Sequence, residues 1–155
     1  RYIKEASMDV GRVYDIVEET EGTMNVFAGE RPVESYLLGA RGYVNPFGNY
    51  IPYSTARLWE FLEQGRVDEA RQIQRVMDAI NEIIAEGHPT YGHQCYSKAL
   101  AAARGYPMGD VRPPLTRFRD LGEEGRRRIE AMQPLVDKVE SLAADFVSDK
   151  AAVRA

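Results

Sequence analysis

R-Y-I-K-E-A-S-M-D-V-G-R-V-Y-D-I-V-E-E, residues 1 to 19, changes its period half-way along. Residues 1 to 6 read as a short strand, with Tyr2 and Ile3 as the end of a buried segment. From residue 9 onward Val10, Val13, Tyr14 and Val17 fall at helical spacing, and Asp9 stands where its side chain can accept from the free amides of a helix start. A strand passing directly into a helix is the opening of a parallel unit, because parallel neighbours need a crossover and a helix is the usual one.

The pattern then repeats. M-N-V-F-A, residues 24 to 28, reads as a second strand ending at Gly29. P-V-E-S-Y-L-L-G follows as a short helix with proline at its start and Gly39 at its end. G-Y-V-N-P-F-G-N-Y-I-P holds a third short strand around Tyr43 and Val44, then a loop, then a helix over residues 53 to 64 closed by Gly65. Three strand-helix units in a row predict a parallel sheet covered by helices.

Beyond Gly65 only helices are expected. Val67, Ala70, Ile73, Met77, Ile80 and Ile84 form one apolar stripe, a long amphipathic helix. A turn at G-H-P-T-Y-G separates it from a second helix over residues 93 to 104. G-Y-P-M-G-D-V-R-P-P-L reads as a rigid loop, residues 121 to 147 as a long helix with a kink at Pro134, and the tail S-D-K-A-A-V-R-A as frayed. The chain thus divides at residue 65 into strand-helix units, 1–65, and a helical extension, 66–155. Three parallel strands do not close a barrel, which takes eight strands and about 250 residues. No initiator methionine, turn or cap precedes the first strand, so the fold is expected to begin upstream.

Composition narrows the functional classes. With 155 residues, 44% of them hydrophobic and 28% charged, the sequence reads as an ordinary globular domain. The net charge of −4 provides no basic field for nucleic acid, and no apolar run reaches the length of a membrane span. The single cysteine, Cys95, forms no internal disulfide, and no apolar leader opens the chain, so a cytoplasmic location is expected. Neither a P-loop nor a G-x-G-x-x-G fingerprint occurs, and no cofactor is expected.

Lys4 is the residue that asks for chemistry. A lysine at a strand end is most often solvated, its stem covering apolar surface. Three facts pull the other way: it follows an apolar pair without a turn, only four lysines occur against sixteen arginines, and barrel active sites lie at the carboxyl ends of strands. An amine withdrawn from water deprotonates more readily and can attack a keto carbon to give an imine, an electron sink for carbanion chemistry.

Five stretches together carry a resemblance. I-K-E-A-S at 3 to 7, F-A-G-E at 27 to 30, G-A-R-G-Y-V-N-P-F-G-N at 39 to 49, Y-S-K-A-L at 96 to 100 and V-R-P-P-L at 111 to 115 resemble, in order and spacing, the second half of the dihydrodipicolinate synthase and N-acetylneuraminate lyase family. The resemblance implies strands six to eight of a (β/α)8 TIM barrel followed by a C-terminal helical extension, assembled as a homotetramer or dimer. It implies a Schiff-base lyase or aldolase in which Lys4 forms an imine with pyruvate or another small-molecule 2-oxo acid. Gly29 and Glu30 would stand near the second substrate, Val44 and Asn45 would line the imine pocket, and Asn49 would match a recurring asparagine. A sugar-acid dehydratase using the same imine is the alternative, and an inert fragment lacking the first half of the barrel is the other.

The match has departures: Met8 where glycine is common, Arg31 where many members carry an acid or a small polar residue, and Pro46 and Phe47 where small residues are frequent. By the resemblance, the hydroxyl pair that holds the carboxylate and the proton-shuttling tyrosine lie on earlier strands. Tyr2, Tyr14, Tyr36, Tyr43 and Tyr50 read as core or interface. His88, His93 and Cys95 lack a second pair of ligands at suitable spacing, so no metal site is expected. R-R-R at 126 to 128, among Glu123, Glu124 and Glu130, reads as a solvated, ion-paired helix face.

Overall fold

In the computed structural model the backbone of residues 1–153 and the side chains of residues 1–86 and 92–146 are described. Three strands, β1 (Tyr2–Glu5), β2 (Asn25–Ala28) and β3 (Gly42–Tyr43), alternate with helices α1 (Gly11–Glu19) and α2 (Pro32–Leu37); α3 (Pro52–Glu63), α4 (Val67–Ala103) and α5 (Gly122–Val153) follow. The strands form one parallel sheet in the order β1-β2-β3. This is the alternation that the period changes predict.

The local chemistry is equally direct. Gly11 N–H donates to Asp9 Oδ1 at 2.9 Å, so Asp9 meets the start of α1 as expected. Pro32 opens α2, where its missing N–H costs nothing. Gly39 and Gly65 take φ of +100° and +73°, left-handed values that let the chain turn off the ends of α2 and α3. At the latter, Gly65 N–H reaches Leu62 O at 3.0 Å and Arg66 N–H reaches Phe61 O at 2.8 Å, the paired bonds of a left-handed helix stop.

The residues form two compact units: Arg1–Asn45 with Ala56–Gln74, and Pro46–Thr55 with Arg75–Ala155. In the first, Val26 and Ala28 of β2 are fully buried with Val13 and Ala40, and Ile16, Val17, Leu38, Tyr43 and Trp59 pack around them. Trp59 stacks on Tyr43 with ring centroids 5.7 Å apart and meets Tyr36 edge-on at 5.3 Å. Buried Gln74 accepts from Val33 N–H at 2.9 Å and donates to Glu34 at 2.7 Å, satisfying the first turn of α2 from α4.

β1 corrects one expectation. Tyr2 is 77% exposed and Ile3 39%, so the segment is not buried. A strand's burial depends on what pairs with it, and β1 has one neighbour, β2, among the described residues.

In the second unit Tyr96, Leu100, Met132, Val136, Val139 and Ala143 are fully buried, the last four at helical spacing along α5. The anticipated stripe of α4 is buried from Ala70 to Ile84. The expected turn between helices narrows to one residue, Gly92, at φ 68° and ψ 148° within the span of α4. α5 continues through Pro134. Ser54 Oγ donates to Glu140 Oε1 at 2.5 Å, and Arg104 approaches Glu140 at 3.5 Å and Asp137 at 3.6 Å. The arginine triplet is only partly a solvated face. Arg126 and Arg127 pair with Glu123, but Arg128 is 16% exposed in its side chain and donates to the carbonyl of Ile83 at 2.9 Å. The expected fraying of the tail concerns residues whose side chains or backbone lie outside those described.

Candidate active site

The register of the sheet decides where Lys4 points. Lys4 stands opposite Phe27, and Phe27 opposite Gly42; Glu5 stands opposite Ala28, and Ala28 opposite Tyr43. Residues in register across a parallel ladder project to the same side, and successive residues alternate. Val26 and Ala28 point into the core shared with α1. Lys4, Phe27 and Gly42 therefore project from the opposite face.

That face is built around an aromatic ring. A Cβ on Gly42 would lie 2.7 Å from Phe27 Cε1, so glycine is what lets the ring lie across β3. Tyr2 meets the same ring at 6.1 Å between centroids. Lys4 is exposed beside them. Val44, two residues beyond Gly42, is half-exposed, and its N–H donates to Ala28 O at 2.8 Å.

The carboxyl ends of the strands are tied together by backbone bonds. Gly29 N–H donates to Glu5 O at 2.7 Å. A Cβ on Gly29 would meet Ala6 Cβ at 2.9 Å and Glu5 O at 3.0 Å, so a side chain there would force the first two strand ends apart. Glu30 follows, its carbonyl accepting from Ser35 Oγ at 3.0 Å. The structure thus gathers Lys4, Gly29, Glu30 and Val44 at the ends of three neighbouring strands, with partly buried Asn45 next in the chain. Asn49 and Phe47 belong to the other unit, where Phe47 is buried 5.5 Å from the ring of Tyr50. Arg31 takes a left-handed φ of 45°, and its guanidinium lies 4.0 Å from Glu34. Met8 is likewise left-handed, at φ 71°, which is why a glycine suits that position.

Two features escaped the sequence reading. Glu5, next to the lysine, has a side chain only 10% exposed, and strict alternation from Lys4 would have assigned it to the helix side. The ring of Phe27 over Gly42 needed the register, which sequence does not fix. Among the tyrosines, Tyr50 is buried and its phenol pushed above its ordinary range by desolvation, whereas Tyr2 and Tyr14 are exposed and belong to no core. The side chain of His88 lies outside the described residues. Cys95 is a buried free thiol. Among the described residues no helix is long and apolar enough to cross a membrane.

The Dihydrodipicolinate synthetase family profile matches residues 2–132. The chain belongs to that family. A 4-hydroxy-tetrahydrodipicolinate synthase of Exiguobacterium sp. is 32% identical over 116 residues, 73% of this chain and 38% of its own length. The wild-type sialic acid aldolase of Ruminococcus gnavus superposes with a TM-score of 0.76 at 22% identity, over 89% of this chain and 45% of that one. The same aldolase solved as a catalytic lysine mutant gives 0.74 at 22% identity, over 88% and 44%. This family member therefore spans about two fifths of the length of the curated relatives it matches. Its α/β fold, a small parallel sheet within a mostly helical chain, has TIM-barrel family members as structural neighbours.

Proposed function

We propose that this chain supplies the last three strand-helix units, residues 1–65, and the C-terminal helical extension, residues 66–155, of a Schiff-base lyase barrel, with Lys4 as the amine. The observation that carries this reading is the direction of Lys4. It stands at the carboxyl end of a parallel strand, on the face away from the core shared with α1, where a closed barrel has its interior.

Lys4 Nζ attacks the C2 carbonyl of pyruvate or a related 2-oxo acid, the carbonyl oxygen leaves as water, and a protonated imine remains. Loss of a proton from C3 gives an enamine, which adds to an aldehyde; the reverse sequence cleaves a carbon-carbon bond. The positive nitrogen stabilises the developing carbanion, so no further cofactor is required for this chemistry. Val44 lines the imine pocket with Asn45, Phe27 floors it, and Gly29 and Glu30 face the second substrate. Exclusion of water from Lys4 falls to strands that pair on the outer edge of β1, and the barrel works in the cytoplasm as a dimer or tetramer.

Borohydride trapping with pyruvate, read by intact mass, tests the proposal, with the Lys4→Ala variant as control. A sugar-acid dehydratase would trap a sugar acid in place of pyruvate and release water without carbon-carbon cleavage, so product analysis separates it from an aldolase. An inert fragment would trap neither.

A further inference from the structure

The geometry points to Glu5 as a positioning residue for the Lys4 amine, an inference that rests on the imine reading above. Glu5 and Lys4 are adjacent on β1 and project from opposite faces, the glutamate toward α1 and the lysine away from it. Glu5 itself is held in two places, at its carbonyl and at its side chain. Glu5 O accepts from Gly29 N–H at 2.7 Å, locking β1 to the end of β2. Glu5 Oε1 accepts from Ser7 N–H at 2.9 Å, curling the chain back immediately after the lysine strand.

A carboxylate largely withdrawn from water is a costly choice for a loop anchor unless its acceptor capacity is used. Here the side chain is only 10% exposed, and Arg12 Nε stands 3.9 Å away on α1 with its own side chain largely in solvent. The ion pair is thus long and open to water, worth little by itself. The short bond to Ser7 N–H is the contact that shapes the turn, and this turn also holds Met8 at φ 71°. Without that bond the residues after Lys4 lose their local anchor, while the Gly29 bond keeps β1 in the sheet. The amine would then sample a wider arc at unchanged fold. A reacting group displaced by about 1 Å can lose on the order of 100-fold in rate.

The test is the time course of borohydride-trapped pyruvate adduct on the full-length protein, for wild type, Glu5→Gln and Glu5→Ala, across pH. Glutamine keeps the acceptor for Ser7 N–H without the charge, and alanine removes both. Glu5→Ala is expected to trap about 10- to 100-fold more slowly, to the same final extent and with an unmoved pH profile, while Glu5→Gln stays near wild type. An unchanged rate constant in Glu5→Ala, or a reduced final extent with an unchanged rate constant, would overturn the positioning role; the latter marks a purely structural residue. Slow trapping in Glu5→Gln together with a shifted pH profile would also overturn it, in favour of a direct charge effect. Absence of adduct on the wild type would instead overturn the imine reading, and this inference with it.

Discussion

Lys4 and Phe27 face each other in register across β1 and β2, on the side of the sheet opposite buried Val26 and Ala28. This pairing fixes the lysine to the face turned away from the core shared with α1 and gives it an aromatic neighbour. Every part of the functional reading depends on that direction.

Gly29 is the tightest joint of the site. An alanine there would place Cβ 2.9 Å from Ala6 Cβ and 3.0 Å from the carbonyl of Glu5, contacts that only a backbone shift relieves. Gly29→Ala is expected to destabilise the fold by about 1–3 kcal/mol, as overpacking does. Urea denaturation checks this, and an unchanged midpoint would mean that the strand ends are less closely joined.

Met8 should behave in the opposite sense. Its φ of 71° is left-handed and its side chain is 70% exposed, so the residue bears the conformational cost with little packing in return. Relief of about 1–2 kcal/mol of left-handed cost, less about 0.5–1 kcal/mol of glycine chain entropy, makes Met8→Gly stabilising by roughly 0.5–1 kcal/mol. A lower unfolding midpoint for Met8→Gly would contradict this.

Gln74 joins α4 to the first turn of α2 through Val33 N–H and Glu34. Gln74→Leu would leave a buried amide without its acceptor, and a loss of about 1–3 kcal/mol is expected. The amide of Val33 should then exchange with deuterium faster than in wild type.

Cys95 carries a pH prediction. Burial, reinforced by Asp110 and Asp120, pushes its thiol from an ordinary value near 9 up to about 11. The folded state therefore holds the neutral thiol longer than the unfolded chain does. Its contribution to stability is complete below about pH 9 and is lost as pH rises toward about 11. Cys95→Ala should flatten the decline in unfolding free energy across that window, and at pH 7 the wild-type thiol should react with iodoacetamide only as fast as the chain opens.

The order of strands and helices was legible because each boundary is marked by a change of period or by a proline or glycine that the backbone requires. Asp9, Pro32, Gly39 and Gly65 all act where their chemistry places them. Burial of β1 was not legible, since Tyr2 and Ile3 are apolar whether or not a second strand covers them. The Arg128 anchor was hidden for a related reason: three consecutive arginines look alike in sequence, and only helix phase turns one of them toward Ile83 O. Lys4 was found through the motif around it, whereas Glu5 was passed over because a glutamate beside a lysine reads as surface charge.

The most direct test of the account is intact mass of the full-length protein before and after borohydride reduction with pyruvate, run beside Lys4→Ala. The account predicts a stable pyruvyl adduct on the wild type and none on the variant. No adduct on the wild type, or an adduct that survives loss of Lys4, would contradict it.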